Sequence, residues 1–166
     1  MKTNILWIAV FALLMAVSGA SAEDGFGVGV ILGEPAGISV KKWISQDRAI
    51  DGAAAWSLSD DESFQIHADY LIHKFDILKI NKASGRLPVY FGVGARVKFE
   101  DEDDHWRGHD DDDDDVVVGV RIPFGISYIL EKEPVDFFAE IVPILDVAPD
   151  TDFDLNAAIG ARFYFR

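Results

Sequence analysis

The sequence predicts an all-β chain, an eight-stranded antiparallel up-and-down transmembrane β-barrel. Three observations carry this reading. The N-terminus has the pattern of an export leader. Eight segments of strict apolar/polar alternation fill the remainder. The last of them, Phe153 to Phe165, runs almost to the end of the chain and finishes in aromatics. In that segment Phe153, Leu155, Ala157, Ile159, Ala161, Phe163 and Phe165 share one parity, whereas Asp154, Asn156, Ala158, Gly160, Arg162 and Tyr164 share the other. A period of two with one apolar face is the pattern of a strand that turns one face away from water.

The leader reads as a cleaved signal peptide over residues 1–22. Lys2 supplies the positive start, Ile5 to Val17 is an uncharged apolar run, and Ala20-Ser21-Ala22 is an A-x-A cleavage site. The run is short for a spanning helix, which needs roughly 20 apolar residues. Residues 23–166 then form one domain. There is no cysteine, so neither a disulfide framework nor a lipidated N-terminus is encoded. No later segment is long and apolar enough for a membrane helix, so any membrane span must be β.

Each predicted strand is defined by its alternation. The first has Phe26, Val28, Val30 and Leu32 against Gly25, Gly27, Gly29 and Ile31, and Gly33-Glu34-Pro35-Ala36-Gly37 reverses it. The second sets Ile38, Val40 and Ile44 against Ser39, Lys41 and Trp43 and ends in Ser45-Gln46-Asp47. The third sets Ile50, Ala54, Trp56 and Leu58 against Asp51, Ala53, Ala55 and Ser57, and Ser59 to Ser63 breaks it. The fourth places Phe64, Ile66, Ala68, Tyr70 and Ile72 opposite Gln65, His67, Asp69 and His73. After Asn81 to Gly85 the fifth places Val89, Phe91, Val93, Ala95, Val97 and Phe99 opposite Tyr90, Gly92, Gly94, Arg96 and Lys98. The sixth is β-branched, Val116 to Tyr128, with Gly119, Arg121, Gly125 and Ser127 on its polar parity, and Glu131-Lys132-Glu133-Pro134 ends it. The seventh sets Phe137, Ala139, Ile141 and Leu145 against Asp136, Glu140 and Asp146, before the turn Pro149 to Asp152. Pro123 and Pro143 fall inside strands and predict bulges there.

An even strand number returns both termini to one side, as an up-and-down barrel requires. With periplasmic termini the longest connection, Glu100 to Asp115, is extracellular, in keeping with short periplasmic turns and long outer loops. The polar parity carries Lys41, Arg96, Lys98, Arg121 and Arg162 against Asp51, Asp69, Asp136, Glu140 and Asp146, five against five in a chain of net charge −14. Such balance suits a narrow interior, where an unpaired charge is costly and a paired one tolerable. Lys41, Asp51, His67, Asp69, Arg96, Arg121, Glu140 and Arg162 are therefore the expected lumen polar network. Outward aromatics gather at strand ends, Phe26, Tyr128, Phe137, Phe163 and Phe165 at one rim and Trp56, Phe64, Phe99 and Phe153 at the other, as in aromatic girdles.

The acidity argues against nucleic acid, whose phosphates need Lys and Arg. In the loop, Asp101, Asp103, Asp104, His105, His109, Asp110 and Asp111 are the candidate metal ligands, carboxylates being hard donors for weakly bound Ca²⁺ or Mg²⁺. The spacing is not that of an EF-hand, and a solvated, self-repelling run is the plainer reading. No other cofactor is expected. His67, Asp69 and His73 share one face with Ser57 and Ser127 nearby in parity, which raises a lipid-A-modifying barrel enzyme as an alternative, although no motif ties a serine to a histidine. A second alternative is a soluble, lipocalin-like periplasmic barrel with the apolar parity turned inward around a small apolar ligand.

The closing residues Gly160-Ala161-Arg162-Phe163-Tyr164-Phe165 resemble the outer-membrane targeting signal read by the barrel-assembly machinery, with Gly160, Phe163 and Phe165 in the signal positions. Ala158 stands where that signal has a polar residue, and Arg166 follows the final aromatic. With its leader and eight segments, the chain resembles small OmpA/OmpX-type barrels. It is also similar to a family of uncharacterised outer-membrane barrels in Gly33 to Gly37, Lys41, Trp43 and His67-Ala68-Asp69-Tyr70. The resemblance implies a monomeric barrel in the bacterial outer membrane, in contact with lipid and lipopolysaccharide, and no established activity. A structural or surface-interaction role is the expectation.

Overall fold

A computed structural model describes residues 25–57, 63–78, 85–100 and 115–165. The strands are β1 (Phe26–Glu34), β2 (Ala36–Trp43), β3 (Arg48–Trp56), β4 (Ser63–Lys74), β5 (Gly85–Arg86), β6 (Val89–Glu100), β7 (Asp115–Arg121), β8 (Phe124–Leu130), β9 (Val135–Ala148) and β10 (Asp152–Phe165). All pairings are antiparallel, and β10 pairs with both β9 and β1, so the sheet closes on itself. The ten segments make eight staves, because β5 continues β6 and β7 continues into β8. The predicted eight-stranded up-and-down barrel is the fold.

The prolines correct one expectation. The register of β7 and β8 against β6 and β9 runs unbroken past Pro123, and Pro143 sits in an unbroken β9–β10 ladder. Neither makes a bulge. Each keeps half of a ladder pair: the Pro123 carbonyl accepts from the Gly92 amide (3.0 Å), and the Pro143 carbonyl from the Ile122 amide (3.0 Å). Pro88 does the same for Ser127 (2.9 Å) between β5 and β6. A proline that forfeits only its own N–H costs about one hydrogen bond, roughly 1 kcal/mol, which the flanking ladder absorbs without a shift. The register shift lies instead at Val147, which is left unopposed between the pairs Val118–Ala148 and Gly119–Asp146.

Parity decides the two faces. Val30, Leu32, Ile38, Ile50, Ile66, Val93, Ile141, Leu155 and Ile159 all stand on the outer surface, each about half exposed or more. Lys41, Asp51, Asp69, Arg96, Arg121, Asp136, Glu140, Asp146 and Arg162 are buried inside. This is the reverse of a soluble barrel, and it overturns the lipocalin-like alternative, whose apolar parity would have to face inward. The interior is not wholly polar, however. Ile31, Ala53, Leu71, Tyr90, Phe138 and Ala158 form one apolar cluster there, and Trp43, Ala49, Ile129 and Tyr164 form another.

Candidate functional site: the charged interior

The interior polar side chains meet along rows that cross neighbouring strands, and register explains how each pair meets. Asp69, Gly94 and Arg121 lie in one row across β4, β6 and β7. The glycine has no side chain, so Arg121 Nε reaches over it to both Asp69 oxygens (3.0 and 3.2 Å). Arg96, Gly119 and Asp146 form a second such row across β6, β7 and β9. Arg96 Nε and Nη2 donate to the two Asp146 oxygens (3.1 and 2.6 Å), a bidentate pair. A third row is Tyr90, Gly125 and Glu140, in which the Tyr90 hydroxyl donates to Glu140 Oε2 (2.8 Å). A fourth is Arg162, Gly29 and Ser39, with Arg162 Nε donating to Ser39 Oγ (2.9 Å). A Cβ at Gly94 would collide with Asp69, one at Gly119 with Asp146, and one at Gly125 with Tyr90. The interior glycines are thus the gaps through which alternate strands pair their polar side chains.

Around these rows the network extends. Toward the end of the barrel that holds the β9–β10 turn, Arg96 Nη1 also donates to Asp154 (2.9 Å). At mid-height Arg121 lies 4.0 Å from Glu140. Toward the other end Arg162 Nη2 donates to Asp51 (2.8 Å), and its guanidinium stacks 3.8 Å over Phe138. Asp136 takes the Tyr164 hydroxyl (2.8 Å) and stands 3.6 Å from Lys41 and 3.8 Å from Arg162. Lys41 Nζ donates to His73 Nε2 (2.9 Å) and lies over the Trp43 ring at 4.6 Å.

Of the eight predicted network residues, Lys41, Asp51, Asp69, Arg96, Arg121, Glu140 and Arg162 come together in these contacts. His67 is buried in the same interior with its Nδ1 unpartnered. Sequence reasoning left Ser39, His73, Tyr90, Asp136, Asp146 and Tyr164 out of the network. Their inward parity was a signal for all six, and the two buried tyrosine hydroxyls each required a partner. Of the serines weighed as nucleophiles, Ser57 donates its Oγ–H to Glu34 at the rim (2.7 Å) and Ser127 Oγ is buried without a hydrogen-bond partner, while His73 accepts from Lys41. Among the described residues no three His, Asp or Glu side chains are grouped as a metal ion requires. The acidic-loop candidates, Asp101 to Asp111, lie outside the described residues, as do the leader and Arg166. In the closing segment, where a targeting signal is expected, the rings of Phe163 and Phe165 meet edge to face on the outer wall (5.1 Å), while Gly160 faces inward beneath Phe138.

A search of solved structures finds the same architecture. The crystal structure of the N-terminal β-barrel domain of Pseudomonas aeruginosa OprF matches with a TM-score of 0.56 and 12% identity, covering 84% of this chain and 95% of that one. Neisserial surface protein A (NspA) matches with a TM-score of 0.45 and 13% identity, over 84% and 93%. At this identity the OprF likeness concerns the fold alone, that of a small β-barrel. No curated protein matches the chain. A family model described as a protein of unknown function, DUF3996, matches residues 17–164, and the chain belongs to that family.

Proposed function

We propose that this protein is a non-enzymatic barrel of the bacterial outer membrane, with a filled interior and a structural or surface-interaction role. The observation that supports it above others is the inversion of the barrel. A belt of half-exposed Ile, Leu, Val and Phe surrounds buried Arg–Asp pairs. Apolar side chains arranged this way cost free energy in water and gain it in lipid. Eight strands leave room for little more than their own side chains, and the burial of Arg96, Arg121, Arg162, Tyr90, Phe138 and Tyr164 inside supports an interior without a wide solute path. Residues 1–22 direct export, and Gly160, Phe163 and Phe165 engage the barrel-assembly machinery. The protein works as a monomer in contact with membrane lipid and lipopolysaccharide, and it does not bind nucleic acid. The acidic segment at 100–115 serves as an extracellular loop that exchanges Ca²⁺ or Mg²⁺ with surface phosphates. Fractionation tests the location. Recovery in the outer membrane with mobility that changes on heating supports the reading; release with soluble periplasmic contents refutes it.

A further inference from the structure

The outer wall is not uniform. Across β2, β3 and β4 it carries a shallow hollow of about 430 Å³, walled by Ile38 and Ile66 and floored by Gly52, Ala54 and Ala68, with Lys42 at its edge. Gly52 lies opposite Ala68 and Ala54 opposite Ile66, so the small residues abut across the two strands. Lys42, Arg48 and Lys74 are exposed on this same outer face. They are the outward basic residues of the three strands among the described residues, and all lie at the end of the barrel that holds the 44–47 turn. Arg48 is held in place there by Asp47 (3.7 Å) and the Tyr70 hydroxyl (3.4 Å). A larger hollow of about 680 Å³ opens over Leu32, Phe124, Ala139, Ile141 and Ala157, and its lining contains no Lys or Arg. The chain's net charge is −14, so a basic cluster beside one hollow and not the other is a local feature.

We infer that the β2–β4 wall is a binding site for an anionic glycerophospholipid of the periplasmic-side leaflet, its phosphate held by Lys42, Arg48 and Lys74 and one acyl chain lying in the hollow. The inference rests on the outer-membrane orientation proposed above. The geometry suits a single leaflet. Gly52 is four residues from Arg48, about 13 Å along a strand rising ~3.3 Å per residue. Strand tilt shortens this, placing the hollow beside mid-chain methylenes within a leaflet about 15 Å deep. A hollow over Gly and Ala accepts an acyl chain without requiring a side chain to move. The basic rim supplies charge complementarity to a phosphodiester that carries no compensating amine.

Native mass spectrometry of the folded protein, released from bilayers of equal phosphatidylglycerol and phosphatidylethanolamine, tests the site. Wild type is expected to retain phosphatidylglycerol about tenfold over phosphatidylethanolamine, the scale set by a few basic side chains at an anionic headgroup. K42Q/R48Q/K74Q is expected to lose the preference. A68L, which fills the hollow and leaves the rim, is expected to retain less of both lipids with the preference kept. Equal retention by wild type, an unchanged preference in the triple variant, or full retention by A68L overturns the inference. Each sample is first checked for heat-modifiable mobility. Absence of that shift refutes the membrane-barrel reading itself, whereas a normal shift without lipid preference refutes this site alone.

Discussion

The Asp69–Arg121 pair gives the sharpest test of the interior network. Both side chains are almost wholly buried, and Arg121 Nε donates to both oxygens of Asp69. Replacing Arg121 with Ala leaves Asp69 charged or forces it to take up a proton, and it also opens a cavity the size of the lost side chain. Removing one partner of a buried pair costs about 3–5 kcal/mol. With a urea slope of about 2 kcal/mol/M, the unfolding midpoint should fall by roughly 1.5–2.5 M. Asp69→Asn should cost less, about 1–3 kcal/mol, because Arg121 retains Glu140 at 4.0 Å. The double variant R121M/D69N removes both charges and refills the volume, so it should recover much of the loss, as buried pairs exchanged for apolar groups often do. The assay is urea unfolding of the refolded barrel in lipid vesicles, followed by tryptophan fluorescence and by heat-modifiable mobility. A midpoint shift for R121A within experimental scatter would sink the argument. So would a double variant whose loss is the sum of those of R121M and D69N made singly, because independent costs mean the two groups are not coupled.

Three further outcomes follow from the structure. Gly119→Ala should destabilise by about 1–3 kcal/mol, because its Cβ would displace the Asp146 carboxylate from Arg96, whereas Gly119→Ala combined with Asp146→Ala should lose little beyond the Asp146 change alone; urea midpoints for the set decide it. Replacing residues 101–114 with a short Gly/Ser turn should leave barrel stability unchanged and abolish millimolar Ca²⁺ binding in calorimetry; equal binding before and after the replacement refutes the loop as its source. Planar-bilayer recordings should show no large steady conductance, and a stable wide-pore current would contradict the filled interior.

Much of this molecule can be read from period-two patterns. Alternation identified all eight staves and assigned each residue to one of two faces, because a strand permits only two. The charge balance of one parity and the aromatic ends of the other indicated which face turns inward, and the buried Arg96, Arg121 and Arg162 lie there. Proline chemistry was legible in kind but not in consequence. A missing N–H predicts a disturbed ladder, yet Pro123 and Pro143 each keep their carbonyl bond and the register holds. The apolar clusters inside were hidden because Ile31, Leu71, Ile129 and Phe138 sit on a parity whose charged members dominate the pattern.

Parity is a local property, fixed by the backbone of each strand alone, and the sequence determined it. Pairing across the barrel is set by register, the stagger of one strand against the next, and no single strand contains it. Only closure of the sheet placed Gly94 between Asp69 and Arg121, Gly119 between Arg96 and Asp146, and Gly29 between Arg162 and Ser39. A shift of two residues would keep every side chain on its own face and still separate those partners. The sequence therefore determined which charges share the interior, and the tertiary structure decided which of them meet, because in these rows a guanidinium reaches past the neighbouring strand where that strand presents a glycine.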